Sequence, residues 1–438
     1  MRKPRFFPAV LAIAGVTAGL AVFSAAGAQA PLQEVDLEQA IRLALDNDPA
    51  TVGAAAAVSS ASADLLEARG LWLPSLTMSS GYSNSSDQRV DTATGRLVSE
   101  SYNAQISASL ELFSGGRRIV ENRAAAANLK AAGADYRLQT FQTILRTTEI
   151  FYDAAASADL QRLAEQRRDR ARQQLSFAET RFDLGTATSS DMLRAQLEVD
   201  NAELGVLNAE LMLRTAALAL GRQIGRAGEI HPVSSSLPGQ APVLPPTESL
   251  IEQAVRSSPS VVAAEATLRG RQAERLAGIA DYLPSATLSG GYDWFAFNFP
   301  PDQRSWNLRL TASLPIFDRF GREANVQRAA ARERFAEAEA RDAVMAVRVA
   351  VESATGEIAS VARGIEIANH ARELALEDLR VLEERYQIGV ATILELQTSQ
   401  VALTEAEVAV VRARQALGMA VARLEVVLGE RIEVRTRE

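Results

Sequence analysis

The chain has 438 residues and no cysteine, which excludes disulfides, thiolate chemistry and lipid attachment through a cysteine. Its net charge of −8 offers no basic face for nucleic acid, and its two histidines, His231 and His370, are too few for the usual zinc sites. Hydrophobic residues at 47% can build a core, and aromatics at only 5% beside abundant Ala, Leu, Glu and Arg favour long helices in close contact.

Residues 1–28 read as a secretory signal. Arg2, Lys3 and Arg5 precede an apolar stretch from about Val10 to Phe23, and small residues follow. Cleavage is expected after Ala28, because cutting after Ala30 would leave Pro31 at the new N-terminus. The apolar run is shorter than the ~20 residues that span a bilayer, and no later stretch reaches ~18 consecutive apolar residues, so no transmembrane helix is expected.

Proline marks the plan of the rest. None lies between Pro74 and Pro232 or after Pro315, so these two gaps can hold long helices. The plan occurs twice, over 29–226 and 247–430, with a Pro-rich linker at 227–246 and a tail at 431–438. Asp48-Pro49 matches Ser258-Pro259, each an N-cap followed by Pro at the first helical position, and each is preceded by a short helix. Leu73-Pro74-Ser75 matches Leu283-Pro284-Ser285, and Gly81-Tyr82 matches Gly291-Tyr292.

Between these markers the period changes to two. Tyr102, Ala104, Ile106, Ala108, Leu110 and Leu112 alternate with Asn103, Gln105, Ser107, Ser109 and Glu111. Trp306, Leu308, Leu310, Ala312, Leu314 and Ile316 alternate with Asn307, Arg309, Thr311 and Ser313. Strands are therefore expected at about 75–84, 102–113, 285–296 and 306–317, one hairpin per copy. Tyr82, Tyr102, Tyr292, Trp294 and Trp306 cluster at the loop ends, the pattern of an aromatic girdle on an outer-membrane barrel. Four strands cannot close such a barrel, and open edges in lipid leave backbone groups unpaired, so the chain must borrow strands from copies of itself.

Each hairpin leads into a helical pattern of roughly 65 residues, or ~100 Å. The return helices carry sevenfold spacing, Leu197, Leu204, Leu211 and Leu218 in the first copy and Leu396, Leu403, Val410, Leu417 and Leu424 in the second, which predicts packing on a partner helix. At the turn between the helices stands Arg181-Phe182-Asp183-Leu184-Gly185, repeated as Arg385-Tyr386-Gln387-Ile388-Gly389, with Asp191 and Glu395 at the same distance beyond each Gly. Gly suits the left-handed cap of a helical hairpin. Asp191 and Glu395 also fit plain helix N-termini, where a carboxylate meets the positive end of the dipole.

These features together resemble the TolC family of outer-membrane efflux ducts. The most specific matches are the paired Leu-Pro-Ser strand starts, the strand exits Leu112 to Arg117 and Ile316 to Arg322, and the twin tips. The resemblance implies a mixed α/β membrane protein of two structural repeats. Their hairpins would contribute to a trimeric 12-stranded outer-membrane barrel, and their long helices to a periplasmic coiled-coil α-barrel. It implies a homotrimer set in outer-membrane lipid that works with a periplasmic adaptor protein and an inner-membrane transporter, with no nucleic acid, no cofactor and no metal. Its function would be passive exit of drugs, small molecules or proteins, in a tripartite efflux or type I secretion system. By the same resemblance Asp191 and Tyr386 match a gate latch and Glu395 matches an acidic position in the pore constriction. Leu184, Gly185, Thr186, Ile388, Gly389 and Val390 match the surface that meets the adaptor. Ala391 stands where a second latch would have Arg, and Thr398 where a second acidic ring position would fall, which implies a weaker lock and a less negative constriction. An enzyme is not expected, since no nucleophile–base pair is legible. The competing reading is a trimeric coiled-coil structural or adhesin-like protein without channel activity.

Overall fold

The computed structural model describes residues 33–90, 95, 97–233, 237–297 and 299–432, and the expected signal lies outside them. The first run of elements is β1 (Gln33–Val35), α1 (Leu37–Asn47), α2 (Pro49–Gly70), β2 (Ser75–Val90), β3 (Leu97–Ser114), α3 (Arg117–Asp183) and α4 (Ser189–Gln223). The second is β4 (Ile230–Pro232), α5 (Thr247–Ser257), α6 (Pro259–Ala280), β5 (Ser285–Ala296), β6 (Gln303–Ser313), α7 (Gly321–Gln387) and α8 (Ile393–Leu428). Both α3 and α7 have 67 residues, or ~100 Å of helix.

The four long strands form one antiparallel sheet in the order β2-β3-β5-β6, so the repeats join through β3 and β5. No partner covers the outer edge of β2 or β6 among the described residues. Leu76, Met78, Trp306, Leu308 and Leu310 stand exposed on the apolar side. Tyr82 stacks on Tyr102 at 5.1 Å and Tyr292 on Trp294 at 4.7 Å, which gathers the expected aromatics at neighbouring levels.

Strand boundaries in both hairpins differ from expectation. The first hairpin is longer, because the polar stretch expected as loop from Ser85 to Glu100 continues the ladder to Val90 and resumes it at Leu97, past a register shift between Asn84 and Arg89. Residues polar on both faces carry no period-two signal, so sequence pattern does not show this extension. β6 ends at Ser313, short of the expected Phe317, because Pro315 has no N–H for the ladder. The linker is also less irregular than expected: Ile230 to Pro232 pair in parallel with Gln33 to Val35.

The strand-to-helix corners are built alike from different residues. In the first, Gly115 and Gly116 take φ of 62° and 85°; in the second, Arg319 and Phe320 hold φ of 60° and 65°, a left-handed backbone that costs an L-residue about 1–2 kcal/mol. Arg118 stacks over Trp72 at 4.5 Å and donates to the Leu71 and Leu112 carbonyls, while Arg322 stacks over Tyr282 at 4.8 Å and donates to Ile316.

Below the sheet, α3 packs on α2, α4, α6 and α8, whereas α7 packs on α5, α6 and α8. α8 buries its sevenfold stripe, with Leu403, Leu417 and Leu424 almost fully covered. α4 does not. Leu197, Leu204, Leu211 and Leu218 are 46–64% exposed, so the partner helix expected for this stripe does not lie among the described residues of the chain. α4 meets α3 through Ala195, Val199, Ala202 and Val206 instead, a seam of small residues that permits close approach. By composition and length α4 could cross a membrane, which the count of consecutive apolar residues had not shown, yet only 28% of its apolar window is buried.

Candidate functional site

The helical tips follow from local backbone needs. α3 ends when Gly185 takes a φ of 72°, which lets the Thr186 and Ala187 amides turn back to the Arg181 carbonyl at 2.8 and 3.2 Å. Gly389 does the same at 81°, with Val390 and Ala391 bonding to the Arg385 carbonyl at 2.8 and 3.2 Å.

Each return helix then opens with a capping box. The Asp191 amide donates to Thr188 Oγ1 at 3.2 Å, and Asp191 Oδ2 accepts from the Thr188 amide at 3.0 Å and hydroxyl at 2.9 Å. The Glu395 amide donates to Thr392 Oγ1 at 3.3 Å, and Glu395 Oε2 accepts from the Thr392 amide at 2.7 Å and hydroxyl at 2.8 Å. The Thr188 amide, with its hydroxyl, Arg194 and Arg181, pulls the Asp191 carboxyl below its ordinary pKa. The Thr392 amide and hydroxyl, then Arg385, do the same for Glu395.

Tyr386 lies in a buried cluster with Ala178, Ala195, Leu379, Ile393 and Leu396, drawn from both repeats. No hydrogen bond joins it to Asp191, whose carboxylate is engaged by Thr188; the Tyr386 hydroxyl is buried without a hydrogen-bond partner among the described residues. Burial raises the phenol pKa and the Asp191 charge adds to the rise, while Arg181 opposes it. Within the chain the tips are joined by Arg181. It donates to the Tyr386 carbonyl at 2.8 Å and the Thr186 carbonyl at 3.3 Å, and its guanidinium lies 4.9 Å over the Tyr386 ring. Ala391 is buried in the same cluster.

Leu184, Ile388 and Val390 are exposed at the extreme end, together with Gly185, Thr186 and Gly389. Glu395 is also exposed. Sequence reasoning missed Arg181, Thr188 and Thr392 as working residues, although Thr-x-x-Asp at 188–191 and Thr-x-x-Glu at 392–395 are legible capping boxes. Among the described residues no cluster of three or more His, Asp or Glu could hold a metal.

An uncovered sheet with an apolar side, carried on ~100 Å helices to paired tips, defines the class of outer-membrane ducts. A family model for outer membrane efflux proteins matches residues 40–226 and 250–430, one match on each repeat, and the chain belongs to that family. It is 27% identical over 379 residues to Protein CyaE of Bordetella pertussis, covering 84% of this chain and 78% of that protein. It is 25% identical over 390 residues to the pyoverdine export outer membrane protein OpmQ of Pseudomonas aeruginosa, covering 87% and 82%. The fold matches the crystal structure of the outer membrane protein VceC from Vibrio cholerae with a TM-score of 0.76 at 17% identity, over 91% of this chain and 97% of that one. The protein is an outer-membrane exit duct for efflux or secretion and extends into the periplasm. Members of its family are ducts, not enzymes.

Proposed function

We propose that three copies close into a barrel of roughly twelve strands in outer-membrane lipid, and that their helices form a periplasmic tube. The observation that carries this is the sheet: four strands, both edges open, and an apolar side without cover. Such edges in lipid leave backbone groups unpaired at several kcal/mol each unless other strands meet them. Conduction is passive, with energy supplied by an inner-membrane transporter reached through a periplasmic adaptor protein. The exposed Leu184, Ile388 and Val390 beside Gly185, Thr186 and Gly389 suit an apolar contact with that adaptor. Substrate choice lies with the transporter; pyoverdine export by a relative shows one cargo class that such a protein serves.

The tips are the gate in this reading. Asp191 latches to Tyr386 in the shut state, a role supported by the unpartnered buried hydroxyl and by the nearby Asp191 charge that raises its pKa. Arg181 is the second tie between the tips. Glu395 lines the constriction, one carboxylate per copy.

Purified protein in planar bilayers tests the reading. Wild type gives discrete conductance steps, and Asp191→Ala with Tyr386→Phe gives larger ones; equal conductance removes the latch. Glu395→Gln reduces block by multivalent cations, since the ring charge falls, and equal block removes Glu395 from the pore lining. Absence of any conductance from an intact assembly favours the structural or adhesin-like alternative.

A further inference from the structure

We propose that the chain holds a binding site for a small organic amine, with the ammonium on Glu425 and an apolar body against α8 and the linker. A cavity of about 400 Å³ is lined by residues of α1, α3, the linker, α8 and the segment that follows α8. Its size falls within the roughly 300–1,000 Å³ of small-molecule sites. Leu417 and Val421 of α8 and Pro238 and Pro242 of the linker give it apolar walls.

Three polar groups lining this cavity lack partners among the described residues. Thr148 of α3 is only 5% exposed, and its hydroxyl makes no hydrogen bond. Tyr152 stands one turn further on the same face of α3, and its hydroxyl makes none either. Glu425 of α8 accepts from the Ile432 amide at 2.9 Å through Oε1, while Oε2 has no hydrogen bond and the carboxylate no ion pair. The arginine of the cavity, Arg431, pairs with Glu38 at 4.0 Å instead. Burial holds the Glu425 carboxyl above its ordinary pKa; burial, with the Glu425 charge behind it, also raises the Tyr152 phenol. A half-buried carboxylate without a cation is costly, and a bound ammonium offsets that cost. A free carboxylate oxygen and two hydroxyls accept from N–H donors, which selects an amine over an anion.

The duplicated plan of the chain does not demand these residues. Counted from the two tip glycines, Thr148, Tyr152 and Glu425 correspond to Glu352, Gly356 and Gly221, so the set occurs once per chain. Gly418 seats the phenol. A Cβ there would come within 2.2 Å of the Tyr152 ring, so any side chain would displace the ring from α8. The glycine stands in a helix interior, where it costs about 1 kcal/mol relative to Ala.

Tryptamine, tryptophol and indole-3-propionate share a ring system and differ in the charge of the head, which makes them a direct test. They are titrated by calorimetry into the purified protein in detergent, with empty micelles subtracted. Tryptamine should bind saturably with one site per chain, tryptophol roughly tenfold more weakly, and indole-3-propionate not at all. Glu425→Gln should weaken tryptamine roughly tenfold and leave tryptophol nearly unchanged. Tyr152→Phe and Thr148→Val should each weaken tryptamine a few-fold, and they carry the test if Glu425→Gln does not fold. Gly418→Ala should weaken both tryptamine and tryptophol. Unchanged tryptamine affinity in folded Glu425→Gln, or in both hydroxyl variants, overturns the site. Indole-3-propionate binding as tightly as tryptamine overturns it too. The site does not depend on the duct reading: a wild type that conducts and binds no tryptamine overturns the site alone.

Discussion

α4 and α8 occupy the same place in the two repeats, and both are capped by Thr and an acidic residue. They differ in what covers them. α8 is held between α7 and α3, so one side closes its own repeat and the other closes on the first. α4 packs mainly on α3, with the short β4 and one bond from Gln397 besides, and its leucines face outward. Within one chain, then, only the second return helix is covered on both sides. In the proposed trimer, the uncovered face of α4 is where a second chain would pack.

That comparison can be broken by placing a carboxylate on each helix. Val411→Asp puts a charge into a seam already closed inside the chain, at a cost of several kcal/mol, and thermal unfolding of the single chain should fall accordingly. Leu207→Asp leaves the chain folded by circular dichroism and abolishes the trimer. Next in size, Leu403→Ala removes a side chain 1% exposed and should cost about 2–5 kcal/mol in denaturant unfolding. Leu204→Ala, on the uncovered stripe, should change unfolding of the single chain little and weaken assembly.

The tips sharpen the comparison, because there the halves are alike. Thr188→Ala and Thr392→Ala should each loosen the first turn of a return helix by about 1 kcal/mol, seen as roughly fivefold faster local amide exchange. Acid should do the same. The Asp191 and Glu395 carboxyls are held below their ordinary pKa, so the stability they add is present above about pH 4 and is lost as pH falls through their depressed folded values. Amide exchange at the tips should rise on acidification in wild type, and the rise should vanish in the double Thr variant. The smallest effect lies at the corners: Arg319→Gly copies the first repeat into the second and should stabilise by about 0.5–1 kcal/mol, the relieved left-handed strain less the entropy cost of Gly.

Much of the fold was legible in residue order. Proline gaps marked the 67-residue helices, Pro49 and Pro259 marked helix starts, and alternation from Tyr102 and Trp306 marked strands. What escaped had physical reasons. The outer part of the first hairpin is polar on both faces, and β1 and β4 are three residues each. The α4 stripe was legible as apolar, but period alone does not say whether the partner is in the same chain. At the tips the glycines and acidic residues were legible from duplication. The role of Arg181 is not legible in sequence, because its bonds are to carbonyls, which leave no trace in residue type.

The central claim, that several copies assemble into the duct and bury the open face of α4, is tested most directly by single-channel recording of wild type beside Leu207→Asp. Wild type should give discrete conductance steps, and the folded Leu207→Asp protein should give none. Steps of equal size and frequency from both would contradict it.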